Sequence, residues 1–416
     1  MAGSVLAAVL LVIGAVVVWN AAAPRAIDGI VVDEFDEAPE VGTWTLPLGV
    51  LTAGAEDVCE AGQDAALLIL HDELGRPTAL RLLDTATGES AWEVPLPAGL
   101  TTATCAAASL DRGAAVIATV DEAREPGLVA VALEDGAVVA PAERLELLVG
   151  ADAPGAAESP GGPDGDVIAA TAAGVARLDL LTLDPVWTVE TPGASVSTGP
   201  GIVIVGERVV AYSDGADAGW KADHGAWSAV DDVLLRVDRD GATATVLAVD
   251  AGSGRDRWSL ELGEASAIPV PGSGLLLVTG GAADGIAAVR LGDAGTAWTR
   301  DEPLMAEPAL LTGSGAAGIA LLPITGDPTT VAVVDLADGE RRFDLVIGDP
   351  ADPGRIVAIT ADTITVQQPG GDLVAVDARD GEERWRTPGS GRVVEAGGRF
   401  IVLSPGEVSG IGAGSR

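Results

Sequence analysis

One pattern recurs along this chain and constrains its fold more than any other feature: an apolar strand followed by Asp-x-x-x-Gly-x-x-x-Trp. It is clearest at Asp84–Gly88–Trp92, Asp250–Gly254–Trp258 and Asp377–Gly381–Trp385, and a fourth copy runs through Asp335 and Gly339 to Phe343. Three weaker copies keep the spacing. Asp179, Leu183 and Trp187 lose the glycine; Arg290, Ala294 and Trp298 lose both Asp and Gly; Ala132, Gly136 and Ala140 keep only the glycine. Trp44 matches the tail of the pattern alone. Each residue type has a mechanical reason. The Asp carboxylate accepts from backbone amides ahead of it and starts a turn, and Gly supplies the positive φ that closes it. The Trp falls on the returning strand, where a large flat ring can wedge between neighbouring sheets. One such unit cannot bury its apolar face alone, so the copies must stack.

The repeat positions are 44, 92, 140, 187, 258, 298, 343 and 385, which predicts eight outer strands. Beyond Trp385 there is room for three strands, over 391–396, 399–403 and 407–411, but not for a fourth. The strand around Trp44 lacks the other three. Joining the two ends closes a ring and removes its exposed edges. The interval from Trp187 to Trp258 is 71 residues against 40 to 48 elsewhere, which predicts an insertion over Gly215 to Asp240. That stretch holds Trp220, Lys221, His224 and Trp227, the candidate partner-binding element. Trp44, Trp92, Trp187, Trp258, Trp298, Phe343 and Trp385 are the candidate blade-docking residues.

The four clear copies resemble the pyrroloquinoline-quinone-like (quinoprotein alcohol dehydrogenase-like) β-propeller repeat family, whose motif is Ala-Leu-Asp-x-x-x-Gly-x-x-x-Trp. The resemblance covers roughly residues 43–416. It implies an all-β propeller of four-stranded blades, eight by the spacing, with seven as the alternative. Composition agrees. Apolar residues make up 48% of the chain and aromatics only 3%, with 55 Gly and 25 Pro, as expected of many short aliphatic strands joined by tight turns.

Ahead of the repeats, residues 1–24 carry no charge, and the apolar run from Val5 to Trp19, with its flanking alanines, is long enough to span a bilayer as a helix. Trp19 sits where an interfacial aromatic belongs. The other reading is a cleaved signal peptide ending at Ala21–Ala23. The expected organisation is therefore an anchor over 1–24, an acidic linker over 25–42 and the propeller over 43–416 on the extracytoplasmic side of the cell membrane.

With 62 acidic and 24 basic residues the net charge is −38, which repels phosphate backbones and excludes nucleic acid as a partner. The family resemblance brings quinone-dependent dehydrogenases into view, which hold calcium and quinone with Glu, Asn and Asp. Here the sole asparagine, Asn20, lies in the anchor. There is no Gly-x-Ser-x-Gly elbow, and His71 and His224 are the only histidines, without metal-ligand spacing. No catalytic, cofactor or metal residues are assigned. Cys59 and Cys105 follow Trp44 and Trp92 at matching offsets, which predicts one disulfide between adjacent blades of an exported protein. The expected function is a non-catalytic binding or scaffold module with a protein partner in the cell envelope. The alternatives are a degenerate quinoprotein-like oxidoreductase or a sensor ectodomain.

Overall fold

The computed structural model describes the chain between residues 40 and 412, apart from short stretches of which 48–57, 150–166 and 307–316 are the longest. The predicted anchor, and the linker up to residue 39, lie outside the described residues. No helix among the described residues is long and apolar enough to cross a membrane.

The strands form nine antiparallel sheets, so the propeller has nine blades rather than the eight, or seven, that the spacing predicts. In chain order blades 1 to 8 span residues 58–95, 100–143, 146–189, 196–221, 227–263, 266–300, 319–346 and 355–387. Blade 9 combines Arg392–Ala396, Arg399–Ser404 and Glu407–Gly412 with an outer strand, Glu40–Pro47, from the other end of the chain. Thr45 pairs with Ser409 and Leu46 with Val408, so the expected closure by both chain ends is present. The closing strand begins three residues inside the predicted linker, at Glu40. Blade 7 has three strands among the described residues, and Leu304 bridges to its edge at Ile324.

The missing blade was hidden in the interval read as an insertion. Residues 196–221 are a complete four-stranded blade, and Trp220 is its repeat-position tryptophan. Two departures disguised it. Ala211 stands where the pattern has Asp, and the outer strand carries one extra residue. Opposite Arg208–Val210 the pairing slips by two positions, where the other blades slip by one, with Gly219 at φ 82°. Trp220 therefore comes nine residues after Ala211 instead of eight.

The core lies between blades, not within them. Among the described residues nine buried clusters each join two neighbouring blades around the whole ring. Between blades 7 and 8, for example, Ile319, Leu321, Val331 and Val333 meet Ile364, Val366, Val374 and Val376. A middle strand is thus covered on both faces. Thr363–Gln367 is buried at every position, whereas the outer strand Glu383–Thr387 alternates. This is why the sequence needs so many continuous aliphatic runs. First strands of neighbouring blades touch one another, which places them innermost, around the central channel.

Candidate functional site

The repeat residues hold the ring together in a directional way. In blade 1, Asp84 Oδ1 accepts from the amides of Ala86 and Thr87, at 2.9 and 2.8 Å, and the Gly88 amide donates to the Asp84 carbonyl at 2.8 Å. That turn receives the tryptophan of the preceding blade. Trp44 lies against Gly88, Trp92 against Gly136, Trp187 against Gly215, Trp220 against Gly254, Trp298 against Gly339, and Phe343 against Gly381. A Cβ on any of these glycines would sit 2.4–2.7 Å from the ring or its neighbours. The glycine is needed for space as well as for φ. The indole Nε1 then donates to the carbonyl one residue after the Asp position: Trp44 to Thr85, Trp92 to Leu133, Trp187 to Tyr212, Trp258 to Leu291 and Trp298 to Leu336. Phe343 has no donor, and Arg342 supplies one instead, from Nη1 to the Ala378 carbonyl at 3.0 Å. Trp385 is 4% exposed within the cluster between blades 8 and 9. The turns that lost glycine kept its backbone, with Leu183 and Ala294 both at φ 57°.

Cys59 and Cys105 form the predicted disulfide, with Cα atoms 5.5 Å apart. It staples the innermost strands of blades 1 and 2 inside their shared apolar cluster. Closing a loop of this length is worth about 4 kcal/mol in the chain-entropy account.

Of the candidate partner-binding residues, Trp220 and Lys221 lie on the last strand of blade 4 and Trp227 on the first strand of blade 5. Trp220 seats on Gly254 as a blade-docking ring, and Lys221 is exposed beside it at the end of blade 4. Trp227 opens the innermost strand of blade 5, where its indole donates to the Asp223 carbonyl at 3.1 Å and lies under the Arg236 guanidinium at 5.3 Å. Arg236 is paired with Asp223 and Asp238; burial pulls its pKa down, but these two carboxylates outweigh that and hold it above the usual arginine value. His224 lies outside the described residues. The predicted insertion over Gly215 to Asp240 is instead parts of two regular blades, 4 and 5.

Two clefts remain. The larger, about 960 Å³, lies between blades 6 and 7 among Gly272, Gly274, Gly318 and two ion pairs, Arg290–Asp293 and Arg342–Asp335. Its charges are matched within the protein. The smaller, about 350 Å³, lies where blade 8 meets blade 9, lined by Gly354, Arg355, Gln367, Gln368, Gly370, Gly371 and Gly391. Arg355 opens the innermost strand of blade 8, and Gln367 ends the strand beside it. Arg355 Nε donates to Gln367 Oε1 at 2.9 Å and its Nη2 to the Val393 carbonyl of blade 9. Burial, reinforced by the charge of Arg392, lowers its pKa to about 10. No sequence motif marked this residue. Among the described residues, no group of three His, Cys, Asp or Glu could hold a metal ion.

Comparison with known proteins places these observations. Residues 327–412, from blade 7 to the end of blade 9, match the family model described as outer membrane protein assembly factor BamB. No curated protein sequence matches the chain significantly. Among solved structures, BamB from Moraxella catarrhalis is similar at 14% identity and a TM-score of 0.44, covering 90% of this chain and 99% of that one. The quinohemoprotein alcohol dehydrogenase from Comamonas testosteroni gives 11% identity and a TM-score of 0.43, covering 96% of this chain and 80% of that one. A europium-containing methanol dehydrogenase gives 11% and 0.42, over 92% and 87%.

Proposed function

The chain belongs to the pyrroloquinoline-quinone-like β-propeller repeat family, and from that premise we propose that it is a non-catalytic scaffold that binds a protein partner in the cell envelope. The observation that carries this reading is the match of blades 7 to 9 to the model of an assembly factor. The architecture suits the role. Nine inter-blade cores, a closing blade made from both chain ends and one disulfide make a ring whose faces are preorganised, so little ordering cost falls on binding. The disulfide supports residence in an oxidising compartment. The uncharged stretch over residues 1–24 supports tethering to the cell membrane with the propeller outside.

Cross-linking in intact cells, followed by capture of the tagged full-length chain from detergent-solubilised membranes, tests the proposal. The expected result is one or a few envelope proteins recovered in constant ratio, with protease added to wall-stripped cells degrading the propeller. Recovery of the chain alone, together with alcohol- or sugar-dependent reduction of a dye by the purified protein, would contradict it.

A further inference from the structure

Arginines in this protein are in general matched to carboxylates. Arg76 pairs with Asp72, Arg81 with Glu93, Arg257 with Asp250, Arg341 with Glu302 and Asp344, Arg384 with Asp377, and Arg399 with Asp64. That is unsurprising in a chain with 62 acidic and 24 basic residues. Among the described residues Arg355, like Arg300, bonds only to neutral groups, and it is largely desolvated. Its partners are neutral: the Gln367 carboxamide and the Val393 carbonyl. The Gln367 side chain is fixed in turn. Its Oε1 accepts from the Val393 amide at 3.2 Å, and its Nε2 donates to the carbonyls of Gly371 and Gly391 at 3.3 and 2.5 Å. The guanidinium is thus pinned across the junction of two blades through Nε and Nη2, which leaves Nη1 without a hydrogen bond among the described residues. Arg392 adds positive charge nearby. Burying an arginine without a counter-charge is costly, and the cost is recovered when an anion arrives.

We propose that the cleft between blades 8 and 9 is a binding site for a carboxylate, received by Arg355, whose guanidinium Gln367 holds in place. The net charge of −38 selects among anions, because it opposes a phosphate dianion about twice as strongly as a carboxylate. A cavity of about 350 Å³ accommodates a few atoms on either side of that group. That the carboxylate belongs to a polypeptide, as a chain end or an acidic side chain, rests on the scaffold reading; the site itself does not.

The test needs no partner, so it can fail while partner capture succeeds, and the reverse. Calorimetric titration of the full-length chain in detergent uses three probes: acetylated trialanine with a free C-terminus, the same peptide amidated, and amidated acetyl-Ala-Glu-Ala. The expected result is saturable binding of the first or the third, which identifies chain end or side chain, and at least about tenfold weaker binding of the amide. Arg355→Gln should abolish binding. Because Arg355 also ties two blades together, Gln368→Glu is the second variant. It keeps the hydrogen bond that Gln368 accepts from Arg386 while adding negative charge at the cleft, and should weaken the carboxylate on the order of tenfold. Absence of saturable binding, equal binding of acid and amide, or wild-type affinity in a folded variant overturns the proposal.

Discussion

If the ring is held by tryptophans seated on glycines, a single methyl group in the seat should be felt. Gly339→Ala puts a Cβ 2.5 Å from Cδ2 of Trp298, a ring that is only 7% exposed and hydrogen-bonded to Leu336 at 2.9 Å. Gly339 also has φ 73°, in the left-handed region. That conformation costs an alanine about 1–2 kcal/mol, and overpacking a full site adds about 1–3 kcal/mol. Reduced freedom of the unfolded chain returns part of this, leaving a net loss of about 2–4 kcal/mol. A chain of this length unfolds with an entropy of roughly 0.8 kcal/mol/K, so the melting temperature should fall by about 3–5 °C. The reciprocal change sits one blade earlier. Ala294 occupies the same turn position at φ 57°, so Ala294→Gly relieves strain that offsets the glycine entropy cost and should leave stability equal or slightly higher. Scanning calorimetry of both variants decides the matter. If Gly339→Ala melts with the parent, or the two variants fall together, the ring–glycine seat is not what joins the blades.

Two further outcomes follow from individual bonds. Trp298→Phe should cost about 1 kcal/mol more than Trp220→Phe in denaturant titrations, because Trp298 Nε1 has an acceptor and the buried Trp220 Nε1 has none. Asp250 is held down to about 2 by hydrogen bonds from Arg257 and Ser253, so its contribution is complete above its unfolded value near 3.8 and is lost as pH falls from about 4 towards 2; Asp250→Asn should flatten that part of the acid-unfolding curve, and an unchanged slope would show that the turn does not depend on the carboxylate.

Where the sequence could be read, it was because function of a residue was local. Asp84, Gly88 and Trp92 sit within nine residues, each needed for one turn or one ring, and the same holds for the copies at 250 and 377. The closing blade was legible from a deficit at each end, and the disulfide from the matched offsets of Cys59 and Cys105. Blade 4 was missed because one extra residue at Gly219 moved Trp220 out of register, and Ala211 removed the Asp that would have announced the turn. Arg355 was illegible for another reason. Its surroundings come from Gln367, twelve residues on, and from Val393 and Arg392 on the next blade, so no short window of sequence contains the site.

Closure of the ring underlies both the rigidity of its faces and the placement of Arg355 beside blade 9, and it can be measured across one residue pair. Thr45 and Ser409 are direct ladder partners with hydroxyl oxygens 3.1 Å apart, at a Cα spacing that a disulfide can bridge. In the double variant Thr45→Cys and Ser409→Cys, mild oxidation should form a bond between residues 364 apart in sequence, detected as a linked peptide by mass spectrometry alongside the native Cys59–Cys105 link. Two new thiols that stay open to maleimide in the folded protein would mean that the strand from Glu40 does not complete blade 9.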